Sequence, residues 1–317
     1  MFFYIRNLKI NIVQTFALYA PIFILYPIAE IEVLGRKEII LFLIFVVSLF
    51  LSEKKYHNYY LNIFSFLFLP LALLVWEEVV LFFPFFAAVI IIKNNLKNFK
   101  EVFQYLLIIF FPSILIFSYI WLNPLTIEGR DTMCSYLDTN FGERCYMSAL
   151  LLVDNNIYFS TFKVVHQNAQ WSHYTRYILI FIIGFLPLNL LVSQNNFIKK
   201  NNFINKNFKV KTLFFLLYLP SILLFTFGYD WGRWINITYS FSILFYLYLL
   251  KNFIITNNFK INNIILKKFF KKKTIVTLIF ILFAFGWNPK TVVTGDIASF
   301  PGYRIPVKFL KILIEKN

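Results

Sequence analysis

Long apolar runs recur along the whole chain, and they limit its fold more than any other feature. Each run approaches the roughly 20 residues that an α-helix needs to cross the hydrocarbon core of a bilayer. Of the 317 residues, 59% are hydrophobic and 15% are charged. Soluble domains are roughly 45–50% apolar and about 25% charged. The composition therefore excludes an ordinary soluble globular protein and predicts an integral membrane protein.

The apolar runs are uniform and show no alternation of polar and apolar residues, which favours helices over the strands of a membrane barrel. We predict an all-α, polytopic bundle of about nine transmembrane helices. The predicted spans are residues 10–28, 39–52, 59–75, 78–92, 102–122, 177–193, 212–228, 234–250 and 274–288. The first span is interpreted as a retained signal anchor, because no convincing small-residue cleavage site follows it.

Lys and Arg collect in alternate loops between the spans. Segments 1–9, 53–58, 93–101, 194–211 and 251–273 contain 19 of the 31 basic residues and two of the 15 acidic residues. Basic residues are enriched in cytoplasmic loops, so the N-terminus is predicted to be cytoplasmic and the C-terminus external. The predicted layout is helices 1–5 in residues 1–122, an external loop subdomain in 123–176, helices 6–9 in 177–288, and an external tail in 289–317.

The net charge of +16 does not predict nucleic-acid binding, because the basic residues lie in short loops that the membrane topology already explains. No GxxxxGK[ST] or GxGxxG motif is present, so no nucleotide cofactor is expected. No other cofactor is predicted. A metal site is not predicted either, since His166 and His173 complete no zinc-ligand spacing with the cysteines.

Both cysteines of the chain, Cys134 and Cys145, lie in the predicted external loop. An oxidising compartment permits a disulfide, and closing a loop of this length stabilises a fold by roughly 3 kcal/mol in the chain-entropy model. We predict a Cys134–Cys145 disulfide, with two unpaired thiols as the alternative.

Trp76, Glu77 and Glu78 interrupt the apolar stretch 59–92. A charged residue at membrane depth costs about 2.5–3.5 kcal/mol, so the two acids need water, a partner or protonation. The basic loops at both ends of the stretch belong to the same side, which places the three residues at or near an outer turn. A polar hairpin tip accounts for the two acids. The functional interpretation is a catalytic base or a cation ligand at the bilayer surface.

A second group of special residues, Gly228-Tyr-Asp-Trp-Gly-Arg-Trp234, lies at the outer connection between the seventh and eighth spans. Asp230 and Arg233 are spaced to pair on one helical turn, and Trp231 and Trp234 have the same spacing. One interpretation is a tight turn with an ion pair and an interfacial aromatic belt. The other is a ligand site, because Arg suits a bidentate grip on phosphate or carboxylate and indole faces stack on sugar rings.

The two segments 76–84 and 228–234 resemble short motifs of uncharacterised multi-spanning bacterial inner-membrane proteins of surface-polysaccharide synthesis, and these are similar to O-antigen polymerases. That resemblance implies a multi-pass protein of the bacterial inner (cytoplasmic) membrane that acts on undecaprenyl-pyrophosphate-linked saccharides. It implies that Arg233 contacts the pyrophosphate, that Asp230 orients it, and that Glu77 or Glu78 takes a proton from an acceptor hydroxyl. Trp76, Trp231 and Trp234 are the remaining candidate substrate-binding residues.

The leading hypothesis is therefore glycosyl transfer or polymerisation on a lipid-linked saccharide at the outer face of the membrane. Two hypotheses from other classes stay open. One is a non-catalytic carrier or channel, which usually has ionisable groups within its spans. The other is an assembly subunit of the cell envelope with no ligand site. Membrane lipids are the expected surroundings in each case, and the sequence does not name a protein partner.

Overall fold

A computed structural model describes residues 10–24, 26–29, 37–123, 125–142, 169–199, 201–227, 230–257 and 272–287, with the single positions 289 and 314. Every regular element in these ranges is a helix, in agreement with the predicted all-α class. The helices are α1 (Ile12–Leu18), α2 (Tyr26–Ala29), α3 (Glu38–Leu51), α4 (His57–Val75), α5 (Phe83–Lys93), α6 (Phe99–Leu122), α7 (Ile127–Phe141), α8 (Trp171–Gln194), α9 (Phe203–Asn207), α10 (Val210–Ile222), α11 (Leu224–Phe227), α12 (Trp231–Lys251) and α13 (Lys273–Phe285). A short 3-10 helix, Glu77–Phe82, connects α4 to α5.

Three of the described helices, α4, α6 and α8, are long and apolar enough to cross a membrane. Shorter apolar helices are α3, α13 and the segment Val210–Thr226. The first predicted span, 10–28, is not one continuous helix, because α1 ends at Leu18 and α2 begins at Tyr26. The reason is Pro21, which has no backbone N–H and cannot continue the helix.

Helix α12 lies at the centre of the bundle. All of its residues are buried except Arg233 and Lys251, which are the charged residues near its two ends. A helix that is buried on every side belongs to the core rather than to the surface. Helix α6 is the opposite case, because its only buried residues are Val102, Ile109, Phe110 and Ser113, and it packs mainly against α4.

The break after α1 is stabilised by side chains of α12. The carbonyl of Ala17 would normally accept from the residue four positions ahead, but that residue is Pro21, which has no N–H. The hydroxyl of Tyr239 donates to this carbonyl at 2.7 Å. Asn236 Nδ2 donates to the carbonyl of Ile22 at 2.8 Å. The central helix thus pairs backbone groups that the broken segment leaves without intrahelical partners.

Gly184 allows α8 to pack closely against the segment that follows α1. A Cβ at this position would lie 2.7 Å from Ile22 Cδ1 and 3.4 Å from Trp287 Cη2. We expect Gly184→Leu to lower the free energy of unfolding by about 1–3 kcal/mol, because overpacking forces neighbours to shift. Thermal unfolding in detergent measures this, with Ile182→Leu on the exposed face of α8 as the control. An unchanged midpoint in Gly184→Leu would contradict the close packing.

The loops that the sequence assigns to the cytoplasm meet at one end of the bundle. Lys251 Nζ lies 2.7 Å from Glu53 Oε2, and His57 Nε2 lies 3.2 Å from the carbonyl oxygen of Lys93. The loop after α5 continues this contact, since the backbone N–H of Phe203 donates to the carbonyl of Leu96 at 2.7 Å. Segments 53–58, 93–101, 194–211 and the start of 251–273 therefore share one end of the molecule.

Helices α3 and α12 run parallel and are joined by an ion pair at each end. Glu38 begins α3 and pairs with Arg233 in the first turn of α12. Glu53 follows the end of α3 and pairs with Lys251 at the end of α12. Between the two pairs, the rings of Phe45 and Phe241 stack with centroids 4.2 Å apart. The acids thus come from the α3 segment and the bases from α12.

Candidate functional site

The two motifs from the sequence meet at the end of the bundle opposite to the four basic loops. Trp76 ends α4 in an extended conformation, so the chain turns there and enters the short 3-10 helix that begins with Glu77. The first turn of α12 brings Trp234 to the same place. The rings of Trp76 and Trp234 stack with centroids 5.8 Å apart and planes 15° apart. Residues far apart in the sequence therefore form one local structure.

Arg233 is at the centre of this cluster. Its Nη1 donates to Asp230 Oδ2 at 2.7 Å, and its Nε faces Glu38 Oε1 in a second ion pair. The guanidinium carbon lies 4.9 Å from the ring centroid of Trp76 and 4.9 Å from that of Trp234. Two carboxylates and two indoles thus surround one guanidinium, which fits the preference of Arg for planar, stacked and paired surroundings.

Glu38 is a residue of this cluster that the sequence reasoning missed. Its side chain is 1% exposed, and it occupies the first turn of α3. The predicted span began at residue 39, which assigned Glu38 to a loop where an acid needs no explanation. An acid at a helix N-terminus is favoured by the helix dipole, but the pairing with Arg233 joins segments far apart in the chain. No local pattern could have indicated it.

The carboxyl of Glu78 is the titratable group with the most altered surroundings. The pKa of Glu78 is raised to about 8, mainly by burial and also by the neighbouring carboxylates of Glu77 and Asp230, whereas Lys37 and a hydrogen bond from Trp76 act in the opposite direction. A carboxyl with a pKa in this range exchanges a proton near neutral pH, as acid–base catalysis requires.

Lys37 supplies an exposed positive charge beside the cluster. Its Nζ lies 5.4 Å from the ring centroid of Trp76, and its charge acts on Glu77, Glu78 and Arg233. Arg233 is balanced by its two carboxylate partners, whereas Lys37 makes no ion pair with any residue that the structure describes. Lys37 is therefore the cation of the cluster whose charge is not already balanced by a direct contact.

Trp231 lies in the same turn but packs in a different direction. Its ring contacts Tyr174 and Tyr177 of α8, with centroid distances of 5.1 and 5.4 Å. It therefore joins α12 to α8 and does not stack with Trp76.

Arg176, on the same turn of α8 as Tyr174 and Tyr177, is 1% exposed. The sequence reasoning missed this buried cation because α8 begins at Trp171, six positions before the predicted start of the sixth span.

Residues 125–142 of the predicted external loop form one exposed helix with short flanks. Helix α7 has no buried residue and ends at Gly142 in a left-handed conformation. Cys134 is disulfide-bonded, and its predicted partner Cys145 lies outside the described residues. Residues 143–168 of the predicted loop subdomain lie outside them too, as does the predicted tail apart from positions 289 and 314. Within the described ranges, no group of three or more His, Cys, Asp or Glu is placed to bind a metal.

No family model, no curated relative and no solved structure matches the chain. The geometry of the cluster around Arg233 is therefore the basis for a functional assignment.

Proposed function

We propose that the chain is a glycosyltransferase or polymerase that acts on undecaprenyl-linked saccharides at the outer face of the bacterial inner membrane. The observation that carries this proposal is the convergence of Trp76, Glu77 and Glu78 with Asp230, Arg233 and Trp234 in one cluster. A productive site keeps its groups within reach of one ligand.

The proposed topology has nine spans, a cytoplasmic N-terminus and an external C-terminus. It is supported by the meeting of the basic loops at one end of the bundle, where the inner ion pair Glu53–Lys251 also lies. The cluster around Arg233 is at the other end. In this orientation the acids and indoles face the compartment in which lipid-linked saccharides are polymerised.

The proposed reaction assigns a role to each part of the cluster. An acceptor hydroxyl attacks the anomeric carbon of the donor sugar, the new C–O bond forms, and the bond from that carbon to the pyrophosphate oxygen breaks. The carboxylate of Glu78 takes the hydroxyl proton. The charge of Glu77 raises the pKa of Glu78 and so makes it a stronger base. Arg233 and the exposed Lys37 face the departing pyrophosphate. The buried indoles of Trp76 and Trp234 hold the guanidinium of Arg233 in place, and Asp230 orients Arg233.

The surface-glycan profile of cells carrying Glu77→Gln or Arg233→Ala tests this proposal, with the amount of protein in the membrane measured in parallel. We expect the long glycan chains to be lost at a normal protein level. Glu101→Gln and Arg130→Ala are the matched controls, because they remove the same charges away from the cluster. The control cells should keep their long chains.

An unchanged profile in both cluster variants would refute the enzymatic proposal. The cluster would then be a turn with an interfacial anchor, and the protein would be a carrier or an assembly subunit. Glu77→Gln is the more informative of the two variants, because it disturbs the structure least. Gln keeps the shape of the side chain, and Glu77 makes no ion pair with any described residue.

A further inference from the structure

We propose that Glu38 is a positioning residue of this site, which holds Arg233 against the stacked rings of Trp76 and Trp234. The inference rests on the proposed function for its effect on glycan synthesis, while the placement of Arg233 can be measured without any substrate. Glu38 is assigned no contact with the saccharide.

The first step of the argument is burial. Glu38 is 1% exposed and Arg233 is 12% exposed, so their charges are largely removed from water. A buried charge needs a partner of opposite charge. The Glu38 carboxylate provides this partner from α3, while Asp230 provides the other from the start of α12. Arg233 is thereby fixed from two directions.

The second step is the contact between Arg233 and the indoles. Its guanidinium lies over both rings at 4.9 Å, a distance at which a cation is attracted to the face of an indole. Trp76 directly precedes Glu77 and Glu78. A shift of the guanidinium would therefore move the ring of Trp76 and change the place of the two carboxyls relative to a bound sugar.

The third step separates Glu38 from an ordinary stabilising residue. The same two helices are joined by a second ion pair, Glu53–Lys251, at their other ends. If ion pairs between α3 and α12 served only to join the helices, removal of either pair would have the same effect on the site. If Glu38 positions Arg233, only removal of the outer pair should disturb the indoles.

The experiment compares Glu38→Gln with the paired variant Glu38→Leu/Arg233→Met. Removal of one partner leaves a buried charge without its counterion, whereas apolar replacement of both partners is often neutral for stability. We expect Glu38→Gln, which retains Arg233, to extend glycan chains about 10²-fold more slowly per molecule in the membrane, as misplaced catalytic groups do. The paired variant, which also lacks Arg233, should reach a normal level in the membrane and shows whether α3 and α12 still pack together. The control is Glu53→Leu/Lys251→Met, which should extend chains at the normal rate.

A second measurement follows the exposure of the buried tryptophans and needs no substrate. The exposed Trp121 and Trp171 are first replaced by Phe, so that the remaining tryptophans are all buried. Acrylamide quenching of the fluorescence should then increase in Glu38→Gln and in the outer paired variant. It should stay unchanged in the Glu53→Leu/Lys251→Met control.

The outcomes separate this inference from the proposed function. Unchanged quenching in the Glu38 variants would overturn the positioning role, and so would normal chain extension in Glu38→Gln while Glu77→Gln abolishes long chains. If quenching increases but Glu77→Gln leaves the glycans unchanged, Glu38 positions Arg233 as inferred and the glycosyl-transfer proposal is wrong.

Discussion

Glu78→Gln is expected to slow glycan chain extension by about 10²–10⁴-fold, the usual contribution of a positioned acid–base group. Gln keeps the size and much of the hydrogen-bonding capacity of the side chain but cannot accept the hydroxyl proton. The measurement is the rate of chain extension in membranes with equal amounts of each protein. Glu101→Gln at the opposite end of the bundle is the control and should retain the full rate.

The pH dependence of the same reaction gives an independent test. Since burial and the charge of Glu77 raise the pKa of Glu78 to about 8, the basic form becomes more abundant as the pH rises through that value, and the rate should rise with it. Glu78→Gln should lose this dependence. An identical pH profile in the variant and the wild type would exclude Glu78 as the base.

Stability should change with pH in the opposite direction. The pKa of Glu78 is higher in the folded protein than its ordinary value of 4.5, so the folded state retains the proton that the unfolded state releases. The stabilisation is fully present below pH 4.5 and is lost as the pH rises to about 8. In Glu78→Gln, the free energy of unfolding should vary less across this window.

Phe241→Ala is expected to have the largest effect on stability, lowering the free energy of unfolding by about 3–5 kcal/mol. Phe241 is fully buried in α12 and stacks on Phe45 with centroids 4.2 Å apart. Phe82 and Phe85 contact the same ring, at 5.2 and 5.3 Å. The loss of this ring would leave a cavity at the centre of the bundle, bounded by side chains from three other helical segments.

Unfolding in detergent measures this effect, and Phe215→Ala is the matched control. Phe215 is 58% exposed on α10, so its loss creates no internal cavity. A similar decrease in the two variants would show that the ring of Phe241 is not part of a close-packed core. A large decrease in Phe241→Ala alone would confirm α12 as the central helix.

The helical class was predictable from the sequence because apolar runs of this length leave few alternatives in a bilayer. The runs also placed several helices to within about three residues at each end, as in α3, α4 and α12. They did not predict the break between α1 and α2, since the partners that stabilise it, Asn236 and Tyr239, come from a distant helix. The sequence also did not predict how deeply each helix is buried. Both α6 and α12 are long apolar helices, but only α12 lies at the centre of the bundle.

For the site, the density of unusual residues near positions 76–78 and 230–234 was a usable signal. The sequence indicated the local pair Asp230–Arg233, and the structure has that pair. It could not indicate Glu38, because the ion pair with Arg233 depends on the packing of α3 against α12. The contact of the Trp231 ring with Tyr174 of α8 was hidden in the same way, because it depends on the packing of α8 against α12.

The two ion pairs between α3 and α12 lie closer together than the two surfaces of a typical bilayer. Glu38 and Glu53 are 15 positions apart, which corresponds to about 22 Å of helix. The hydrocarbon core of a typical bilayer is about 30 Å thick. In the proposed orientation, at least one of the two pairs therefore lies below the level of the headgroups. Since α12 is buried among the other helices, protein rather than hydrocarbon surrounds these charges, and the bilayer can keep its ordinary thickness.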